Sequence, residues 1–466
     1  MESFEDFRAY LLALRQRCGD VVVREFSSRA GEAGVVAFYS SLCDASGIGL
    51  DVMAPATACE VFGGIGKAVN AAQTVQLEPA TTQQAGQVMA DGFVVLVAQD
   101  CAPLCIELRG GAMRGADSPG VDRTIYAAHE GFTETLQFNF GALRRRYHDT
   151  ALCTHSFVVG KMTRLQGMVV YDERVAAPEL VQRVRDMLAG FVVDNITTIS
   201  GLIPYFSQGT RPFPGARLTE RPDVAVAALC EGRVAVILDQ SPFALVLPCV
   251  LTDLFQSADD VGEQPALASL TRIMRWVGFF ASILLPGLYI SMMLFHQTLV
   301  PPGLLAMLTN AARQVPIPLL GEVLLVELLM LLILESTARL PNVTAQALGI
   351  VGGVVLGQAL ITVRLATAPT VILITFCTLA ISSLPNPHLL NTGRLLRLCL
   401  ILVCAAFGLF GLTLGLLVIL VLLARAERFS TPYLAPLAPG QASLWNEALF
   451  QRPEPKKHGR MPWPVK

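Results

Sequence analysis

Hydrophobic and polar positions divide the chain into two unlike halves. Up to about residue 275 the apolar residues come in short runs, with a period near two or near 3.6, between polar segments. From Trp276 to Ala424 they run almost without a break. Those 149 positions hold no Lys, no Asp, three acids (Glu322, Glu327, Glu335) and five Arg (Arg313, Arg339, Arg364, Arg394, Arg397). A bilayer's hydrocarbon core is roughly 30 Å thick and takes about 20 apolar residues of helix to cross. Four uncharged or nearly uncharged runs suit such a crossing: Trp276–Phe295, Leu340–Val363, Ala368–Leu384 and Leu398–Ala424. A fifth, Leu319–Leu334, contains Glu322 and Glu327, with Glu335 just past its end. The expected fold is an α/β soluble N-terminal half followed by a transmembrane helical bundle of about four spans, plus one Glu-bearing helix that is re-entrant or faces a pore.

The soluble half reads as two small α/β subdomains, 1–125 and 126–270, followed by the helical domain 271–424 and a basic tail 425–466. Phe4, Phe7, Leu11 and Leu14 have helical spacing. Val21–Phe26, Val35–Tyr39, Phe93–Ala98 and Leu104–Leu108 read as strands, the last two as a hairpin. In the second subdomain the pattern predicts helices over Gly131–Tyr147 and Pro178–Leu188 and strands at Phe157–Val159 and Met168–Tyr171. A hairpin of Arg233–Leu238 with Phe243–Leu247 follows a Pro-rich loop at 206–222. In the helical half, Gly408, Gly411 and Gly415 recur at three- and four-residue spacing, a pattern that permits close helix contact.

Charge sharpens the topology. The net charge is −2, but residues 1–275 carry 31 acids against 23 bases, whereas the tail carries three acids and seven bases. Lys and Arg next to a span hold that end in the cytoplasm, so both the soluble half and the tail are expected there and the number of crossings should be even. The start, MESFEDFRAY, lacks the apolar core of a signal peptide. Nothing in the acidic soluble half suggests a nucleic-acid footprint.

Enzyme signatures fail. Gly63–Ala68 mimics a phosphate loop, but Val61 and Ala68 stand where Gly and a hydroxyl residue are required. The cysteines are scattered without a CxxC pair, and Cys101 with Cys105 has no further ligand near it. No cofactor or metal is called for. The chemistry lies instead in the apolar half, where ionisable residues are expensive and usually face an interior or a water path. Glu327 and Glu335, about 80° apart on a helical wheel, share one broad face, while Glu322 need not join them. Together they are candidates for a cation path. The plain alternative is that they are neutral and buried, or pair with Arg313 or Arg339. Arg144, Arg145 and Arg146, with Glu130 upstream, are candidates for a subunit contact, against the simpler reading of a solvated helix end.

Several ordered blocks carry a resemblance: Glu130-Gly-Phe-Thr-Glu-Thr-Leu running into Leu143-Arg-Arg-Arg, Glu220-Arg-Pro-Asp, Glu231-Gly-Arg-Val-Ala-Val-Ile-Leu-Asp, Ser241-Pro-Phe and Phe255-Gln-Ser. The apolar half adds Leu285-Pro-Gly-Leu-Tyr289, Phe295-His-Gln297, Pro316-Ile-Pro318, Glu327, Glu335 and Arg339-Leu-Pro341. The tail adds Phe429-Ser-Thr-Pro-Tyr-Leu-Ala-Pro436. From about residue 125 to 440 the chain resembles the A-subunit family of bacterial spore germination receptors (GerA type), which includes SpoVAF-type relatives. The resemblance implies a place in the inner spore membrane with the soluble half facing the spore core. It also implies association with a multi-span B-type sensor subunit and a C-type lipoprotein, and oligomerisation into a ring that conducts cations when nutrient binds. A SpoVAF-type role beside dipicolinate release, or a non-conducting scaffold, is the alternative.

Overall fold

The computed structural model describes residues 2–61, 69, 74–99, 101–108, 110, 129–207, 212–338, 353–429, 431–438 and 450. The first helix forms where its spacing predicts, as α1 (Phe4–Arg17). Ser3 Oγ accepts from the Asp6 N–H at 3.2 Å and the Ser3 N–H donates to Asp6 Oδ2 at 3.0 Å, a reciprocal cap for two orphan amides. Phe7, Leu11 and Leu14 form its buried face. They lie against an antiparallel sheet of β1 (Val21–Ser27), β2 (Ala33–Tyr39), β3 (Thr74–Gln76), β4 (Val94–Ala98) and β5 (Leu104–Ile106), in the order β1-β2-β4-β5-β3. Helix α2 (Thr82–Ala90) precedes β4. The phosphate-loop-like Gly63–Ala68 lies outside the described residues.

The second unit contains α3 (Leu136–Arg144), β6 (Leu152–Val159), β7 (Leu165–Asp172), α4 (Pro178–Gly190), β8 (Arg217–Thr219), α5 (Pro222–Cys230), β9 (Val234–Leu238) and β10 (Ala244–Leu247). Its sheet order is β6-β7-β9-β10-β8. Both units thus follow one path: helix, hairpin, helical crossover, short edge strand, helix, hairpin. The soluble half is a structural duplication. Strand β9 shows how each sheet becomes a core. Val234, Val236 and Leu238 pack with Leu180, Val184 and Leu188 of α4 on one face, while Ala235 and Ile237 pack with Phe140, Leu143, Ala225 and Leu229 on the other, as strand alternation requires. Several details differ from the sequence reading: β6 starts at Leu152 instead of Phe157, and α3 ends at Arg144 instead of Tyr147. Helix α3 begins at Leu136 because 131–134 runs extended, with Phe132 N–H donating to Glu220 O and Gln240 N–H to Glu134 O, both at 2.7 Å. The Pro-rich loop also hides β8.

The helical half begins with α6 (Pro265–Leu294). Arg272 and Arg275 reach Asp260 at 2.9 and 3.0 Å, and the Phe255 ring stacks on Trp276 at 3.9 Å. These contacts fix the near end of α6 beside the second unit. Its far end leads to α7 (Pro302–Ala312), followed by α8 (Leu319–Ala338), α9 (Gly353–Thr362), α10 (Ala368–Ser382) and α11 (Pro387–Arg425). Helix α8 is continuous over 20 residues, about 30 Å at 1.5 Å per residue, so it is a full leg of the bundle.

Helix α11 turns back on itself. As a straight rod its 39 residues would span about 58 Å, yet both ends rest on the second soluble unit. Near the start, Thr392 Oγ1 donates to Pro212 O at 3.0 Å. Just past the end, Leu251 N–H donates to Tyr433 O at 2.9 Å, and the Tyr433 ring lies 5.8 Å from Phe213. The reversal is at Gly408, with φ 60° and ψ −140°, a conformation that glycine adopts at low cost. A Cβ there would stand 3.0 Å from the Phe295 ring, and one at Gly411 would stand 2.5 Å from Val403 O. A Cβ at Gly415 would strike the Leu400 side chain. A straight helix holds Gly411 about 12 Å from Val403 and Gly415 about 22 Å from Leu400. The run Leu398–Ala424, expected as one span, is therefore part of a two-limbed hairpin.

Among the described residues α6 and α11 are long and apolar enough to cross a membrane by length and composition, against the four spans expected, and α11 has that length only as two limbs that meet at Gly408. Ala368–Leu384 yields the 15-residue α10, and Leu340–Val363 lies partly outside the described residues. The hairpin makes a direct prediction. Cysteines introduced together as Leu400→Cys and Gly415→Cys, with native Cys399 and Cys404 replaced by Ala, should cross-link on mild oxidation, seen as a loss of about 2 Da, two hydrogens, from the single tryptic peptide Leu398–Arg425 that holds both positions. A straight α11 would give none.

Candidate functional site

The three acids of α8 have different surroundings. Glu322 is buried near the helix start, and its Oε1 accepts from the Thr367 N–H and Oγ1, both at 2.7 Å. Thr367 is the N-cap of α10. Its hydroxyl lies 3.0 Å from that of Thr370, which lies 3.2 Å from Tyr289 Oη. The carboxylate therefore sits at a helix N-terminus, where unpaired amides and the dipole favour negative charge.

Glu327 forms a salt bridge with Arg397 on the first limb of α11, and the two side chains are 2% and 1% exposed. The pair is incomplete. Among the described residues, Arg397 Nε and Nη1, Glu327 Oε2 and the neighbouring Arg394 Nε are buried without a hydrogen-bond partner. Glu335 is exposed, on a stripe with Leu328, Leu332 and Ser336. Glu335 is thus exposed where Glu327 is buried, yet both lie close enough to Arg394 on the first limb of α11 to act on its charge. The counter-charge on Glu327 is Arg397; of the two arginines considered from sequence, Arg313 is exposed at the end of α7, and Arg339 lies outside the described residues.

The second constellation joins the two soluble units. Arg144 is fully buried, and its Nη2 lies 3.1 Å from each oxygen of Asp20 and 3.0 Å from Leu152 O, while Nη1 donates to Asp149 O at 3.1 Å. The guanidinium sits 4.1 Å from the Tyr39 ring centroid. Burial pushes the Asp20 carboxyl above its ordinary value, with Arg144 opposing the shift. Arg145 and Arg146 instead converge on Glu130, part-exposed, with Arg145 Nη2 at 3.1 Å from Oε1. Burial raises the Glu130 carboxyl, but the hydrogen bonds from Arg146 and Arg145 outweigh it and hold the group below its ordinary value. Of the four residues considered for a subunit contact, Arg144 is thus enclosed within its own chain, whereas Arg145, Arg146 and Glu130 keep part of their surface.

Residues 9–462 match the family described as Bacillus/Clostridium GerA spore germination protein. The chain belongs to this family. Among GerA-family relatives, the uncharacterised membrane protein YfkQ of Bacillus subtilis (strain 168) is 28% identical over 97% of this chain and 88% of its own length. The spore germination protein GerLA of Bacillus cereus is 31% identical over 79% of this chain and 75% of its own. Stage V sporulation protein AF of B. subtilis (strain 168) is 28% identical over 79% and 75%. The germination protein GerLA and the stage V protein AF thus stand at nearly equal distance from this chain.

For this GerA-family chain, sequence reasoning found the acids and missed their partners. Arg397 and Asp20 are 70 and 124 positions away from Glu327 and Arg144 respectively. The available signal was Arg394 and Arg397 inside an apolar helix, where an ionisable group calls for a partner. The Asp20–Arg144 pair predicts a specific stability pattern. Asp20→Asn or Arg144→Met alone should destabilise the soluble half by about 3–5 kcal/mol, because each leaves one uncompensated buried charge or its partner groups unpaired. The double variant should lose less than the sum in chemical denaturation.

Proposed function

We propose that this chain is a membrane subunit of a spore germinant receptor complex that oligomerises to form or gate a cation-conducting path opening on nutrient sensing. Membership of the GerA family and the relatives named above support a role in germination. The apolar bundle supports residence in the inner membrane of the spore, with soluble half and tail on the core side. The expected partners are a B-type multi-span sensor and a C-type lipoprotein.

The observation that carries the reading is the incomplete Glu327–Arg397 pair. A buried ion pair with unpaired donors on one partner and an unpaired acceptor on the other is poorly stabilised in an apolar bundle. Such a pair suits an element with a second arrangement better than a permanent strut. In this reading α8 is the moving or lining helix. Glu335 faces outward along the Leu328–Leu332 stripe toward a neighbouring subunit or a lumen, and Glu322 anchors the helix start to α10. The competing reading, a non-conducting scaffold of the SpoVAF kind, draws on the same geometry, because Glu322 and Glu327 are both engaged within the chain.

Cation flux in liposomes distinguishes them. The wild-type chain reconstituted with its partner subunits should conduct on addition of germinant. Glu335→Gln should lower the flux several-fold while leaving the fold intact, and Glu327→Gln should alter gating. A folded, oligomeric complex that passes no cations under any condition would favour the scaffold.

A further inference from the structure

The soluble half contains a thiol pair that neither the ion-pair network nor the helical bundle uses. Cys18, at the end of α1, and Cys153, on β6, belong to different repeats, and both are buried. Cys18 Sγ donates to Cys153 Sγ at 3.4 Å, van der Waals contact for two sulfurs, and Cys18 also forms an isolated bridge with Thr154. A disulfide closes at about 2.05 Å, so joining them asks for a side-chain rotation with a movement of roughly 1.4 Å rather than a change of fold. We propose that Cys18 and Cys153 form a peroxide-sensitive thiol pair whose oxidation to a disulfide staples the first soluble repeat to the second.

The surroundings assign the two roles. Cys153 Sγ lies 3.9 Å from Glu173 Oε2, and Glu173 pairs with Arg17 at the surface, where these side chains are 44% and 52% exposed. The partly exposed ion pair thus lies between this thiol and the surface. The hydrogen bond from Cys18, helped by Arg17 and Arg144 and opposed by burial, holds the Cys153 thiol below its ordinary value. Cys153 is therefore the attacking sulfur. Its thiolate displaces hydroxide from hydrogen peroxide: the S–O bond forms, the O–O bond breaks, and the leaving hydroxide takes up a proton as water. Cys18 sulfur then attacks the sulfenic sulfur. The S–S bond forms, the S–O bond breaks, and hydroxide leaves with the Cys18 proton as a second water. Two thiols and one peroxide give one disulfide and two waters. In a reducing compartment the resting state is the dithiol, since disulfides there are transient and redox-sensing.

The test uses the full-length chain in nanodiscs, treated with hydrogen peroxide and quenched with a thiol alkylator. The expected product is lighter by about 2 Da than the dithiol, from loss of two hydrogens, with a Cys18–Cys153 linked peptide. Dithiothreitol should reverse both this linkage and an accompanying rise in the melting temperature of the soluble half. In Cys18→Ser, which keeps a hydroxyl donor beside Cys153 but cannot resolve it, Cys153 should accumulate as a sulfenic acid trapped by dimedone, a readout that does not depend on the disulfide. The proposal is overturned if the folded chain oxidises at exposed Cys230 or Cys399 while Cys18 and Cys153 remain alkylatable. It is equally overturned if the dimedone adduct in Cys18→Ser falls on other cysteines.

Discussion

Glu327 and Arg397 meet where neither can meet water, and the arrangement of the helical half follows from that. Removing a carboxylate and a guanidinium from water costs several kcal/mol each even after relaxation. The pair must therefore be held at contact by the helices that carry it. That requirement joins α8 to the first limb of α11. With Glu322 joined to the N-terminus of α10 through Thr367, it also fixes which face of α8 turns inward. Glu322 and Glu327 each reach a partner on another helix, Thr367 and Arg397. The outer stripe that ends at Glu335 is left to face outward.

The hairpin at Gly408 extends the same logic to the soluble half. Because α11 returns, the tail arrives beside the second repeat, where Phe429 enters its core with the Phe206 ring 6.3 Å away. Arg233, paired with Asp253 at 2.6 Å, holds the neighbouring 251–255 turn against α6. Two connections, α6 and the tail, thus tie one repeat to both the entering and the returning limbs of the bundle. The other repeat is tied to this one through Asp20 and Arg144. A displacement of either repeat reaches the bundle through a short series of buried contacts.

Local order was legible in the sequence, and long-range order was not. The spacing of Phe7, Leu11 and Leu14 and the hairpin chemistry around Asp239 place their elements to within a few residues. The acids of α8 identify themselves by being charged in an apolar run. Gly408, Gly411 and Gly415 read as a helix-contact face because small residues look alike in sequence, whereas the left-handed backbone at Gly408 that makes a turn is visible only in three dimensions. Both limbs of α11 are apolar, so no polar residue marks the apex. Arg144 reads as a solvated helix end because its counter-ion lies in the other repeat. The duplication of the two sheets escapes notice because equivalent strands share only burial, which many different side chains satisfy.

The central claim is that Glu327 and Arg397 act as one unit, and charge exchange tests it most directly. Spores carrying Glu327→Arg or Arg397→Glu alone should fail to germinate on nutrient, each placing two like charges together in an apolar bundle. The account predicts that the double variant Glu327→Arg/Arg397→Glu recovers a substantial part of wild-type germination, because opposite charges again meet. A double variant as defective as either single one, with the protein present at normal level in the spores, would contradict it.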